Sequence, residues 1–425
     1  MTVIGQEFAI GDGQESARGD GQPSAIGDGQ KSARGQHADA VERGAGLARA
    51  GRLACFCPPG APSPGAVGLE AEGRWSPGVA TLAGGFALSV LSQSLTLGML
   101  PLAGRLLAPT PHLMSAPYVA MLFGAALATF PASFLLDAFG RRAALALGAS
   151  LGIAGGLIMA FALSFNLFGP FCLGAFWLGV AQGFSLFYRH EAALGSDPRG
   201  RARAALVVFG SGACAGLIGP ALAGLVAQYA PSRLFAATAL AAAATQVLVL
   251  VLAVLTTARA PLLPGASISR EKNAPDWRAF LAPSLIAALA WFGMTLAMVG
   301  APGAMAGCGV AASDIFSAVS WHIIAMYAPA FFAGALARRL GADATAALGL
   351  ALIGCAWALE LYAGDYWRFA AALIVVAVGW SLATAGASLR LYRADPSRAM
   401  LAAHDGLLFL AAMGGAVAAA FLPLG

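Results

Sequence analysis

The feature that most limits this chain is an apolar run of about 20 residues that recurs from residue 78 onward. A helix rises about 1.5 Å per residue, so each run is long enough to cross the roughly 30 Å hydrocarbon layer of a bilayer. The runs cover 78–100, 112–136, 143–165, 168–190, 204–228, 234–256, 279–301, 314–337, 344–363, 367–389 and 400–423. Eleven crossings are therefore expected. The runs are continuous and do not alternate over about ten residues, so helices are expected and barrel strands are not. Only 11% of residues are charged, against about 25% in a soluble domain. Such a chain cannot cover itself with a surface for water. Gly152, Gly156 and Ala160 repeat at four-residue spacing, which lets helices approach closely in lipid. The expected class is an all-α membrane protein with the lipid bilayer as its solvent.

Residues 1–77 differ in kind. AIGDGQES, ARGDGQPS and AIGDGQKS follow one another over 9–32. Gly, Gln, Ser and Asp bury little, so this leader is expected to be disordered. No short apolar core follows a basic start, so it does not read as a secretory signal. The six cysteines are scattered and mostly sit in apolar runs, which suits small packing residues and no metal site.

Basic residues set the orientation. With the 137–143 loop placed inside, fifteen Lys and Arg fall in inside loops and three in outside loops. The positive-inside rule then puts the leader in the cytoplasm. The expected location is a bacterial inner membrane, crossed many times. The net charge of +5 is too modest to imply nucleic acid as a partner.

A shift of 201 residues lays the spans of the first half on those of the second. Tyr188-Arg189 with Asp197-Pro198-Arg199 echoes Tyr392-Arg393 with Asp395-Pro396-Ser397-Arg398. Two similar halves are the mark of a transporter that rocks about a central site. The expected division is a leader at 1–77, a six-helix bundle at 78–256, a cytoplasmic linker at 257–278 and a five-helix bundle at 279–425. The counterpart of 234–256 would fall at 435–457, past residue 425, so a twelfth span is expected to be missing.

The turn after the second span reads Ser133-x-Leu135-x-Asp137-Ala138-x-Gly140-Arg141-Arg142. It resembles the cytoplasmic signature of the major facilitator superfamily, roughly G-x-L-x-D-R-x-G-R-R. Ser133 and Ala138 depart from that pattern. The resemblance covers about 78–425 and implies the two-bundle fold of that superfamily and transport by alternating access. It also implies a gate in which Asp137 meets the start of the penultimate family span, here near Met400. The plainer reading of Arg141 and Arg142 is as topological anchors; an acid at Asp137 adds nothing to topology and favours a gate. Gly219-Pro220-Ala-Leu-Ala-Gly224 resembles a helix-bending motif of antiporters in the superfamily, with Ala215 and Ala223 where glycines are usual. Gly179 stands where the fourth span often carries a proton-coupling arginine. The eighth span, WHIIAMYAPAFFAG, resembles uncharacterised bacterial members.

Several residues are candidates for a cargo or proton path. His322 lies about 12 Å into its span, where an ionisable group is costly and usually faces a cavity; an imidazole bonded to a neighbouring helix is the other reading. Trp321, Met326 and Tyr327 would surround it. Asp405, beside His404, is expected to pair with Arg141 or Arg142 or to carry a proton, in a gating role rather than in cargo binding. Arg189 ends the fourth span and can snorkel to water. Gln93, Gln182, Trp291 and Thr295 are candidate pore linings, and Glu360 is expected to be solvated.

A nucleotide-binding loop of the type G-x-x-x-x-G-K-[ST] is absent from the sequence, which disfavours ATP-driven transport within this chain. A clustered catalytic set such as H-E-x-x-H is absent too, so the chain does not read as an enzyme, and no cofactor is implied. The expected function is a monomeric secondary transporter of a small organic or drug-like molecule, with the proton as candidate coupling ion. The alternative is a truncated remnant or membrane sensor that does not transport.

Overall fold

The structure is a computed structural model that describes residues 78–197, 200–256 and 277–421. The leader repeats and most of the 257–278 linker lie outside the described residues. The first half contains α1 (Val79–Leu107), α2 (Ala116–Ala138), α3 (Gly140–Ser164), α4 (Phe168–Ser185), α5 (Phe187–Leu194), α6 (Arg201–Gly210), α7 (Ala213–Tyr229) and α8 (Leu234–Leu255). The second half contains α9 (Trp277–Gly307), α10 (Ala312–Tyr327), α11 (Ala330–Leu340), α12 (Ala342–Leu361), α13 (Tyr366–Arg393) and α14 (Arg398–Phe421). Among the described residues ten helical spans can cross a membrane, and eleven if α10 and α11, bent by 47°, count as one. The outer surface suits lipid: Leu106, Phe134, Leu217 and Phe332 are all exposed, which water would tolerate poorly in such number.

Three expected spans are each two helical segments. The fourth breaks at Leu186 and runs on to Leu194 instead of ending at 190. The fifth begins at Arg201 and breaks at Ser211–Gly212. Pro220 lies inside the unbroken α7. The eighth breaks just before Ala330, where Pro329 lacks the N–H that a continuous helix would use.

Packing follows the small residues. A Cβ on Gly156 would stand 2.8 Å from the Cβ of Ala243, so α3 and α8 touch backbone to backbone only because that position is glycine. Within the first half α2 and α3 pack on α4, and α1 and α3 pack on α8. Within the second, α13 packs on α12, α9 and α10. The halves meet along two seams. In one, α2 lies on α14; in the other, α6 and α7 lie on α11 and α10.

Candidate functional site

The charged end of the bundle is built around α5. Consecutive helical residues point about 100° apart; even so Arg189 and His190 converge on Asp405, and Glu191 turns to Arg141 and Arg398. Arg189, His190 and Glu191 are all at most 2% exposed. Arg189 Nη2 donates to Asp405 Oδ1 at 2.6 Å. His190 Nε2 lies 2.8 Å from Asp405 Oδ2, and its Nδ1 lies 2.7 Å from the Tyr392 hydroxyl. With Asp405 ionised, Nε2–H donates to the carboxylate. The Tyr392 hydroxyl then donates to Nδ1 of a neutral ring. Glu191 accepts from Arg141 Nε at 3.2 Å and from Arg398 Nε at 2.9 Å. Arg398 also donates to Asp137.

Three guanidinium groups (Arg141, Arg189, Arg398) thus meet three carboxylates (Asp137, Glu191, Asp405). The cluster balances when His190 is neutral, and one added proton leaves it with a surplus positive charge. Burying such charges is tolerable only because each is paired and hydrogen-bonded. Arg189–Asp405, Arg398–Glu191 and Arg398–Asp137 cross between halves, since α5 and α2 belong to the first and α14 to the second, whereas Arg141–Glu191 stays within the first. Arg201 to Asp395 at 2.5 Å is a further crossing pair. These four pairs between halves, Arg189–Asp405, Arg398–Glu191, Arg398–Asp137 and Arg201–Asp395, lie at the Asp137 end, whereas Arg368–Asp365, at the far end of the second half, stays within one half.

An aromatic layer lies next to the charges. The guanidinium of Arg189 sits 5.5 Å from the centre of the Phe209 ring, a cation–π contact. Phe209 packs on Phe86, Tyr327 and Trp380 at 5.9, 5.2 and 5.4 Å between ring centres. Trp380 in turn packs on Trp291 at 5.2 Å. Tyr327, Trp291 and Trp380 form one wall of a cleft of about 60 Å³ lined from both halves. Gln93 and Gln182 line it from the first half. The buried Gln182 Oε1, Trp291 Nε1 and Trp380 Nε1 have no hydrogen-bond partner. The cleft is far smaller than the roughly 300–1,000 Å³ of small-molecule sites, so this conformation is contracted around it.

The structure brings some of the sequence candidates together and separates others. Asp405 pairs with Arg189 and His190, and neither Arg141 nor Arg142 reaches it. Those two arginines have other partners: Arg141 takes Glu191, and Arg142 Nη2 donates to the carbonyl of Thr256 at 3.1 Å, at the end of α8. Arg189 does not snorkel: it is 2% exposed, and its charge faces inward. Asp137 meets the first residue of α14, Arg398, through the side chain. Gly140 adopts φ 79°, the left-handed region where a side chain is strained, and so turns α2 into α3. Gln93, Gln182, Tyr327, Trp291 and Thr295 line the cleft. His322 does not. It is buried, and its Nδ1–H donates to the Leu373 carbonyl at 2.7 Å. Trp321 is 57% exposed and faces away from the cleft. A Cβ on Gly219 would make only ordinary contacts, and one on Gly224 none. The close approach in α7 comes instead at Gly216, against Ile324 of α10. Glu360 is only partly exposed, and its Oε1 is buried without a partner.

From the sequence His190 and Glu191 receive no site role, because the fourth span is expected to end at residue 190. The available signal was three adjacent ionisable residues ahead of Ala-Ala-Leu rather than ahead of a loop.

No family model matches the sequence. The riboflavin transporter RfnT of Brucella anthropi is 33% identical over 316 residues, which are 71% of this chain and 77% of that protein. Among solved structures, a variant of the E. coli fucose:proton symporter FucP superposes with a TM-score of 0.57 at 16% identity, covering 80% of this chain and 89% of that one. FucP in the outward conformation gives 0.55 at 17%, covering 79% and 89%. The human organic anion transporter MFSD10 gives 0.51 at 16%, covering 81% and 97%. At those identities the solved structures speak for the fold alone.

Proposed function

The chain belongs to the major facilitator superfamily, and from that premise we propose that this membrane transporter carries a flat heteroaromatic solute of the riboflavin kind by alternating access, coupled to protons. The observation that carries the reading is the charge cluster, closed across the halves at the Asp137 end, next to a contracted cleft lined by both halves. The likeness to a riboflavin transporter at 33% identity supports the cargo class, as do the rings around the cleft. In this reading the Asp137 end faces the cytoplasm of a cell bounded by an inner membrane, and the leader lies on the same side. One chain supplies both walls of the cleft, so a monomer suffices. The chain transports and does not catalyse.

The energetics fit a gate. Turning a 99:1 closed-to-open ratio into 1:99 requires about 5.5 kcal/mol of differential stabilisation. The half-exposed pairs Asp137–Arg398 and Arg201–Asp395 supply roughly 0–1 kcal/mol each. Separating a buried pair leaves unpaired charge in an apolar place and costs about 3–5 kcal/mol. Arg189–Asp405 is therefore the contact that most resists opening. Neutralising Asp405 removes that resistance, and His190 is placed to relay the proton. Proton entry at this pair and opening of the cytoplasmic end are then one event.

The test is uptake of labelled riboflavin into proteoliposomes with and without an imposed pH gradient. Expected is gradient-driven accumulation by the unaltered protein. Asp405→Asn is expected to abolish accumulation and to preserve exchange of riboflavin across the membrane. Absence of riboflavin movement in both modes would overturn the cargo assignment; accumulation unchanged in Asp405→Asn would overturn the coupling site.

A further inference from the structure

Three residues that line the cleft each carry a buried polar atom without a partner: Trp291 Nε1, Gln182 Oε1 and Trp380 Nε1. An indole N–H can only donate, and an amide oxygen can only accept. A buried group left unpaired costs about 1–3 kcal/mol, so three among the residues around one small cleft are a pattern to be explained by what enters it. The complement of two donors and one acceptor is two acceptors and one donor. Resting on the reading of a flat heteroaromatic cargo, we infer that the cleft selects rings with a cyclic imide edge, a carbonyl, an N–H and a second carbonyl in sequence, read by Trp291, Gln182 and Trp380.

The rest of the lining agrees with a flat, neutral solute. No Asp, Glu, Lys or Arg lines the cleft, so a charged group would enter without a counter-charge, at high cost. Met121, Met294, Met298 and Met326 line it, and thioethers are soft walls that fit against ring edges. Trp291 and Trp380 are 6% and 1% exposed, and their rings offer faces for offset stacking. Gln182 belongs to α4 of the first half, and the two tryptophans belong to α9 and α13 of the second. An imide held by all three ties the halves together around the cargo. Recognition is thereby linked to closure, and a ring without the edge leaves two indoles and an amide unpaired.

Isothermal titration calorimetry on the purified full chain in detergent tests this with two ligand pairs. One is riboflavin and 3-methylriboflavin; the other is 1,8-naphthalimide and its N-methyl derivative, a flat imide that is not a flavin. Methylation removes the imide N–H and is expected to weaken binding roughly 10-fold or more in both pairs. Gln182→Leu is expected to weaken the parent compounds and erase the difference between parent and methylated forms, which a merely structural role would not do. Trp380→Phe keeps a ring and loses the donor, so it is expected to weaken parent and methylated forms alike; it also serves if Gln182→Leu fails to fold. Riboflavin bound as well as its methylated form would overturn the imide inference and leave flavin transport standing. Naphthalimide discriminated from its methyl form without riboflavin binding would support the inference and remove the flavin cargo. Binding of neither parent compound, or discrimination that survives Gln182→Leu, would overturn the inference.

Discussion

Two turns of the same design sit at the same end of the bundle and do different work. The α2–α3 turn bends at Gly140 with φ 79°, and the α11–α12 turn bends at Gly341 with φ 93°. Each is flanked by two arginines, Arg141 and Arg142 after the first bend, Arg338 and Arg339 before the second. Their acids differ. Asp137 reaches across the halves to Arg398. Asp343 pairs with Arg390 of its own half at 2.7 Å, and both partners are well exposed. A glycine at positive φ is therefore shared, and the proposed gate belongs to the first turn through its side chains and through the buried α5 behind it. A repeated fold can carry a single latch because ion pairs are set residue by residue.

The sharpest way to break this comparison is Arg189→Ala. It strips Asp405 of its guanidinium in a fully buried place and is expected to cost about 3–5 kcal/mol of stability, read by denaturation in detergent. The corresponding echo in the second half, Arg393, is exposed, and Arg393→Ala is expected to change stability by less than about 0.5 kcal/mol. Next in size, Gly140→Ala and Gly341→Ala each force a side chain into the left-handed region, at roughly 1–2 kcal/mol apiece. Equal losses at the two turns would show that the backbones are equivalent. The smallest effects separate the acids. Asp137→Asn is expected to raise cysteine labelling of the cleft from the side of the Asp137 end by up to about fivefold. Asp343→Asn is expected to leave that labelling unchanged, because its pair does not cross the halves.

Much of this was legible in the amino-acid order. Spans are set by length and hydropathy, which are local properties, and Asp137 and Gly140 are marked by a short pattern. The breaks at Leu186 and at Ser211–Gly212 were not legible, because neither contains proline; at the second, the close neighbours of Gly210 and Gly212 are Phe331 and Tyr327, far away in sequence. Pro220 invited a bend that α7 absorbs. The partner of Asp405 was hidden for the same reason: Arg189 is 216 positions away, and no spacing rule connects them. A charged triplet at the end of an apolar run looks like an anchor at the water's edge. Only the helix continuing to Leu194 shows that it is buried. His322 illustrates the converse, since a lone histidine in a span can simply tie one helix to the backbone of another.

The most direct test of the account measures distances between spin labels by pulsed electron paramagnetic resonance. Labels are placed on a cysteine-free background at exposed Phe139 and Arg339, one from each half at the Asp137 end, and at exposed Leu106 and Trp367 at the other end. Asp405→Asn is expected to lengthen the Phe139–Arg339 distances and shorten the Leu106–Trp367 distances together. Distributions that stay the same in both pairs after Asp405→Asn would contradict a gate held shut by that carboxylate.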